Sequence, residues 1–179
     1  MFLVRLEAQT TVAARRSHLF AFLVDLENHW RLTGGGVEVV ELHGPLGART
    51  GGVVRLRGPL GIRRTVATEV VAADPPRSMC GSARLGRHTS ATVRWDLHEL
   101  GGDRTRISLG AEVDRAGPLD RLLLAMGGAR WMRRLLAEAL SRLALLARAE
   151  PPTADRAHRA PRRPAEHYGS RRRTGRRRG

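Results

Sequence analysis

The chain has 179 residues, 41% of them hydrophobic but only 4% aromatic, and a net charge of +15 at pH 7. That length suits one domain, and the low aromatic content makes its core aliphatic, built from Val, Leu, Ala and Ile. All 32 basic residues are arginine; a phosphate-binding surface has no reason to exclude lysine altogether, so the charge reflects coding bias more than a nucleic-acid partner. Cys80 is the only cysteine, which excludes an intrachain disulfide and a cysteine-rich metal site.

Phe2, Val4, Leu6 and Ala8 alternate with Leu3, Arg5, Glu7 and Gln9, the period of a half-buried strand. Arg5 and Glu7 also come too early for a signal-peptide core. Leu19, Phe20 and Leu23 then recur at helical spacing within 17–24, and Asp25 is placed to cap a second short helix running to Trp30. The glycines at 34–36 close it.

A meander of strands follows over 37–42, 53–57, 62–73, 78–85, 91–100 and 104–114. Its punctuation is Gly44-Pro45, Gly58-Pro59, Asp74-Pro75-Pro76 and Gly101-Gly102-Asp103. Connections this short imply an antiparallel sheet. Gly117-Pro118 opens the last element, where Leu119, Leu122, Met126, Ala129, Leu136, Leu140 and Leu143 form one apolar stripe on a helix of roughly 30 residues. Gly127-Gly128 lies inside that helix and predicts a kink.

The helix carries Arg121, Arg130, Arg133, Arg134, Glu138 and Arg142, which is too much charge for a bilayer span of roughly 20 apolar residues. The expected setting is cytoplasmic. Beyond Pro151 the chain has ten arginines, two acidic residues and no Val, Ile, Leu or Phe. Residues 1–150 therefore read as one domain and 151–179 as a disordered arginine-rich tail. With Tyr168 as its one aromatic residue, such a tail supports only weak, nonspecific contact with nucleic acid or anionic lipid.

Motifs for catalysis or cofactors are sparse. The runs at 34–36 and 47–52 lack the spacing and context of a phosphate loop. The seven histidines show no metal-ligand spacing, and no Gly-x-Ser-x-Gly elbow is present. No cofactor and no metal is expected. His98, Asp96 and Arg94 form a polar row on one strand that could hold an acid–base pair, although Trp95 on the opposite face assigns that row to solvent. A thiol near Arg77 and Arg84 could be activated, but a lone strand cysteine reads first as a small buried hydrophobe.

The order strand, two short helices, six strands and long helix resembles the START-like (SRPBCC, helix-grip) superfamily. That group includes Bet v 1-type proteins and polyketide cyclase/dehydrase-like proteins. The residues carrying the likeness are Phe20–Trp30, Asp74-Pro75-Pro76-Arg77, Val93–Leu97 and Gly101–Ile107, within about 2–148. The resemblance implies an α+β fold, with a curved antiparallel sheet wrapped around the C-terminal helix and a cavity between them for a small hydrophobic molecule such as a lipid or polyketide. By alternation Val93, Trp95, Leu97, Leu109 and Ala111 face that space, with Leu122 and Met126 on the helix; each also suits an ordinary core position. Two other readings stand beside the binder: a polyketide cyclase/dehydratase-like enzyme, and a nucleic-acid-associated protein acting through its tail. Ubiquinone-binding members carry a Pro-Trp-Cys-like segment where this chain has Trp30-Arg31-Leu32-Thr33, a departure from that subgroup.

Overall fold

A computed structural model describes residues 4–45, 50–58 and 61–149. The element order is β1 (Val4–Val12), α1 (Arg16–Leu23), α2 (Leu26–Arg31), β2 (Val37–His43), β3 (Gly51–Arg57), β4 (Arg63–Asp74), β5 (Ser78–Leu85), β6 (Thr89–Gly101), β7 (Arg104–Arg115), α3 (Pro118–Leu123) and α4 (Ala129–Ala149). The arginine-rich segment 151–179 lies outside the described residues.

The seven strands form one sheet in the order β1-β7-β6-β5-β4-β3-β2, every neighbour antiparallel. Strands β2 to β7 follow one another as a meander, while β1 sits at the far edge against β7. The chain therefore crosses from one edge of the sheet to the other through α1 and α2. Register shifts at Val39/Glu41, Val70/Ala72, Ser90/Ala91 and Glu99/Gly101 insert bulges that bend the long strands. The expected helix-grip architecture is present.

Local chemistry explains the joints. Asp25 caps α2 by accepting a hydrogen bond from the Glu27 amide at 3.0 Å. Thr105, fully buried, donates to the Ala14 carbonyl at 2.8 Å and ties the entry of α1 to β7. The hairpin between β6 and β7 turns on Gly101, Gly102 and Asp103, all at positive φ, and Asp103 is paired with Arg15 at 2.8 Å.

The core gathers on the inner face of the β1–β7–β6 side. Leu6, Val12, Trp95, Leu97, Ile107 and Leu109 meet α1 and α4 there. On α4 the buried residues are Leu136, Ala139, Leu140 and Leu143, a narrow stripe at helical spacing. Arg94 and Asp96 pair at 2.8 Å on the outer face, and His98 is exposed beside them, so that row belongs to solvent. Cys80 is half-buried and opposite Arg94 in the ladder, not in the core as expected of a lone strand cysteine; alternation turns it away from the face that Met79 and Gly81 share.

The C-terminal helix departs from the single long stripe predicted. A wide turn at Leu124–Gly128 separates α3 from α4, and Gly127 sits at φ 114 within it. A Cβ at Gly128 would fall 2.6 Å from the Leu123 carbonyl oxygen. The turn breaks the helical phase, so Leu119 and Leu122 are 57% and 55% exposed while the stripe on α4 stays buried. Replacing an ordinary helical glycine with alanine stabilises by about 1 kcal/mol. Here the sign should reverse: Gly127→Ala and Gly128→Ala are each expected to destabilise by about 1–2 kcal/mol in urea unfolding. A gain in stability from either would show that the turn needs no glycine.

Candidate functional site

The helix α4 packs chiefly on β1 and, less extensively, on β7. The inner faces of β3 to β6 are left to side chains and to α2, and small residues line part of that span. Gly81 and Ala83 face inward from β5, and neither fills the space before it. Two cavities of about 180 Å³ each result, one beneath the middle of α4 and one beneath its start. Leu56 of β3 borders both.

The first cavity is walled by Leu135, Leu136 and Ala139 of α4, by α2 and the loop after it, and by β2 to β7. Its lining is almost wholly apolar, including Val70, Met79, Val93 and Leu109. Thr33, just after α2, borders the space with its hydroxyl donating to the Trp30 carbonyl at 2.8 Å, and polar groups enter at three further positions. His29 and Trp30 come from α2, and Thr68 comes from β4 by the same alternation that turns Val66 and Val70 inward. Glu69 and Ser82 also border the space, but they occupy outward positions, and the Glu69 carboxylate lies 3.8 Å from Arg84 at the surface.

His29 is held on both sides. Its Nε2 lies 2.5 Å from the Leu23 carbonyl oxygen; a carbonyl only accepts, so Nε2 carries the proton of the neutral ring and Nδ1 is its acceptor. The ring meets Trp95 edge-to-face at 5.4 Å and Trp30 at 6.4 Å. Burial lowers its pKa from 6.5 to about 4, against smaller upward contributions from the Leu23 hydrogen bond and the Asp25 carboxylate. At neutral pH the ring is uncharged.

The second cavity is bordered by Ile62, Leu85, Ala91, Val113, Trp131 and Met132, with a polar latch at its edge. The Gly117 amide donates to Thr89 Oγ1 at 3.0 Å, Thr89 donates to the Asp120 carboxylate, and Arg64 donates to the same carboxylate at 2.5 Å. This chain of contacts pins α3, which buries none of its residues, to β4 and β6.

The seven cavity residues expected from alternation are distributed unevenly. Val93, Trp95 and Leu109 line the first cavity. Met126 stands at the rim of the second, 69% exposed. Leu97 and Ala111 are buried in the core and border neither space. Leu122 points to solvent because the wide turn rotates α3 out of phase with α4. Sequence reasoning missed His29, Trp30 and Thr68. The alternation of Val66, Thr68 and Val70 was there to be read; the turning of α2 into the cavity is a tertiary event with no local signature.

The His29 shift has a thermodynamic consequence. The unfolded ring binds a proton near pH 6.5 and the folded ring only near 4, so the contribution is complete above 6.5. It is lost as pH falls from 6.5 to 4, and the loss levels off below. A 2.5-unit difference corresponds to about 3 kcal/mol. Urea unfolding at pH 7.5 and 4.5 should show most of this loss in the wild type, and His29→Gln should reduce it by about 2 kcal/mol or more. An undiminished pH dependence in the variant would place the titration elsewhere.

Comparison with known proteins agrees with this geometry. The family profile described as polyketide cyclase / dehydrase and lipid transport matches residues 4–148. No curated protein matches the chain. Among solved structures, a Thermus thermophilus protein superposes with a TM-score of 0.59 at 18% identity, covering 82% of this chain and 98% of its own. A START superfamily protein from Mycobacterium smegmatis gives 0.58 at 18% identity, covering 79% and 98%. The Zhui aromatase/cyclase of a Streptomyces strain gives 0.53 at 22% identity, covering 82% and 91%. At such identities the superpositions speak for the fold alone. Among the described residues no helix is long and apolar enough to cross a membrane, and no cluster of His, Cys, Asp or Glu is arranged to hold a metal. With the profile spanning nearly the whole described chain, the protein belongs to the polyketide cyclase / dehydrase and lipid transport family of START-like (SRPBCC) folds.

Proposed function

We propose that the protein binds a small hydrophobic molecule, lipid or polyketide-like, in the first cavity between the sheet and α4. The observation that carries this reading is the cavity itself, an apolar space with a few fixed polar groups, the usual make-up of a small-molecule site. Its size is in keeping: a dry apolar cavity of ~150 Å³ accommodates benzene, so about 180 Å³ suits a ring system or one segment of a longer chain. Tryptophan placement supports it as well. The chain has three tryptophans; Trp30 and Trp95 line the first cavity and Trp131 the second. Large rigid rings are thus concentrated where a ligand would touch them. A cytoplasmic setting belongs to the same reading, consistent with a lone cysteine left unpaired.

The enzyme reading, a polyketide cyclase/dehydratase-like activity, asks for a general base or acid poised near the working pH. Among the described residues His29 is the one titratable side chain at an inward position of the first cavity, and with its pKa near 4 it stays neutral and is a weak base. Its N–H is already committed to the Leu23 carbonyl. The other polar side chains of this wall, Trp30, Thr33 and Thr68, are neither acids nor bases near neutral pH, which favours binding over proton transfer.

Native mass spectrometry of the protein purified from its own host tests this reading. A bound small molecule is expected in the wild type. It should be lost in Ala83→Phe, whose ring would fill the space beside Thr68 and Val93 while circular dichroism stays unchanged. Repeated preparations without any bound molecule, or an unchanged adduct in a folded Ala83→Phe, would overturn it.

A further inference from the structure

The segment formed by α3 and the wide turn after it is apolar on two sides. Leu123 and Leu124 border the second cavity. Leu119, Leu122 and Met126, three and four residues apart, are 57%, 55% and 69% exposed. A helix at the surface of a globular fold needs one apolar face, turned inward. Here a second one is turned outward, and the polar latch at Asp120 holds the segment without using it. Large apolar side chains grouped in water mark a contact surface.

Charge identifies what is contacted. Gly117 stands against the β5–β6 turn, where an added Cβ would lie 3.2 Å from the His88 side chain, and Ser90 pairs with Arg115 in the ladder. That turn and the end of β7 therefore flank α3. Arg87 and Arg115 are exposed there, Arg121 is exposed on α3 itself, and Arg130, Arg133 and Arg134 are exposed at the start of α4. The last of them is within roughly 12 Å of Met126 along the helix axis. Asp114 and Asp120, the carboxylates nearest in sequence, are engaged by Thr92, Thr89 and Arg64. Coding bias explains why these cations are arginine; it does not explain why they surround an apolar tip.

Projecting Leu and Met side chains ringed by guanidinium groups complement an anionic lipid surface, the former entering the acyl boundary and the latter meeting headgroup phosphates. A second copy of this chain would set arginine against arginine. A protein partner would need a concavity to receive side chains this exposed, whereas a bilayer has no shape to match. We infer that α3 and the wide turn dock this protein on an anionic membrane surface, with Leu119, Leu122 and Met126 inserted at the interface. The contact is peripheral, since no described helix is long and apolar enough to cross, and it is independent of what the first cavity binds.

Vesicle sedimentation of the full-length chain tests this, with residues 151–179 present throughout. Binding is expected to be about tenfold or more tighter on phosphatidylcholine vesicles containing about 30% phosphatidylglycerol than on phosphatidylcholine alone, and to weaken with added salt. The double substitution Leu119→Gln with Leu122→Gln should lower it by about tenfold. Both positions are more than half exposed, so the urea midpoint should stay where it is. Attraction through the C-terminal arginines alone would be the same in that variant. An environment-sensitive fluorophore attached at Met126→Cys, in a Cys80→Ser background, should shift to the blue on the anionic vesicles. No vesicle binding, equal binding to both compositions, or binding unchanged in the double variant would overturn the proposal. Self-association in sedimentation velocity that the double variant abolishes would also overturn it, and would give the patch to a second copy.

Discussion

The width of the sheet against the width of one helix governs this molecule. Seven strands spaced about 4.8 Å apart span roughly 29 Å, whereas an α-helix with its side chains is about 10–12 Å across. One helix covers two or three strands and no more. The strand order puts β1 and β7 together at one side, and α4 settles there because Leu136, Leu140 and Leu143 find the inward residues of those strands. Whatever lies inward from β3 to β6 must be covered by something else.

The cover is incomplete, and the residue types explain why. The crossing segment supplies α2, a helix of six residues, whose Leu26, His29 and Trp30 reach over the uncovered strands. A short helix with large rings makes a wall and not a filling. The inward positions of β5 are Gly81 and Ala83, and a Cβ at Gly81 would already approach the Glu69 carbonyl oxygen at 3.0 Å. Bulges in β2, β4 and β6 add curvature that keeps the strands away from the helix. Cavity and polar wall therefore share one origin: the same crossing segment that leaves the space open also brings in His29 and Trp30.

Much of this architecture was readable in the residues. Strand alternation over Val93–Leu97 and Ile107–Val113 placed Trp95 and Leu109 inward, and the Asp25 cap, the two short helices and the turn at Gly101–Asp103 follow from local chemistry. The helical stripe was legible only as far as one phase persisted. Gly127-Gly128 announced an interruption, but a pattern cannot say how far a wide turn rotates the segment before it. Leu122 consequently went to solvent and Leu136 to the cavity wall. Cavity lining was legible residue by residue as a choice of face and no further. Leu97 and Ala111 share the inward face with Trp95 and Leu109, yet lie where α1 and α4 close the core. Alternation reports the side of a sheet; what stands over that side is decided by residues distant in sequence.

The two ends of the C-terminal segment are held by different forces, and this sets where the interior can yield. The middle of α4 is fixed by apolar burial against β1 and β7, a non-directional contribution spread over several side chains. By contrast no residue of α3 is fully buried, and its polar attachment is the short relay from Gly117 through Thr89 to Asp120 and Arg64. A few polar contacts at a partly exposed site are individually worth less than a buried leucine, and Gly127 gives the backbone beside them a conformation that other residues resist. Local opening draws on the least-buried elements first, so the free energy of displacing α3 is lower than that of lifting α4. The second cavity is thus bounded on one side by the more loosely held α3, while the first is bounded by α4, whose buried stripe belongs to the core.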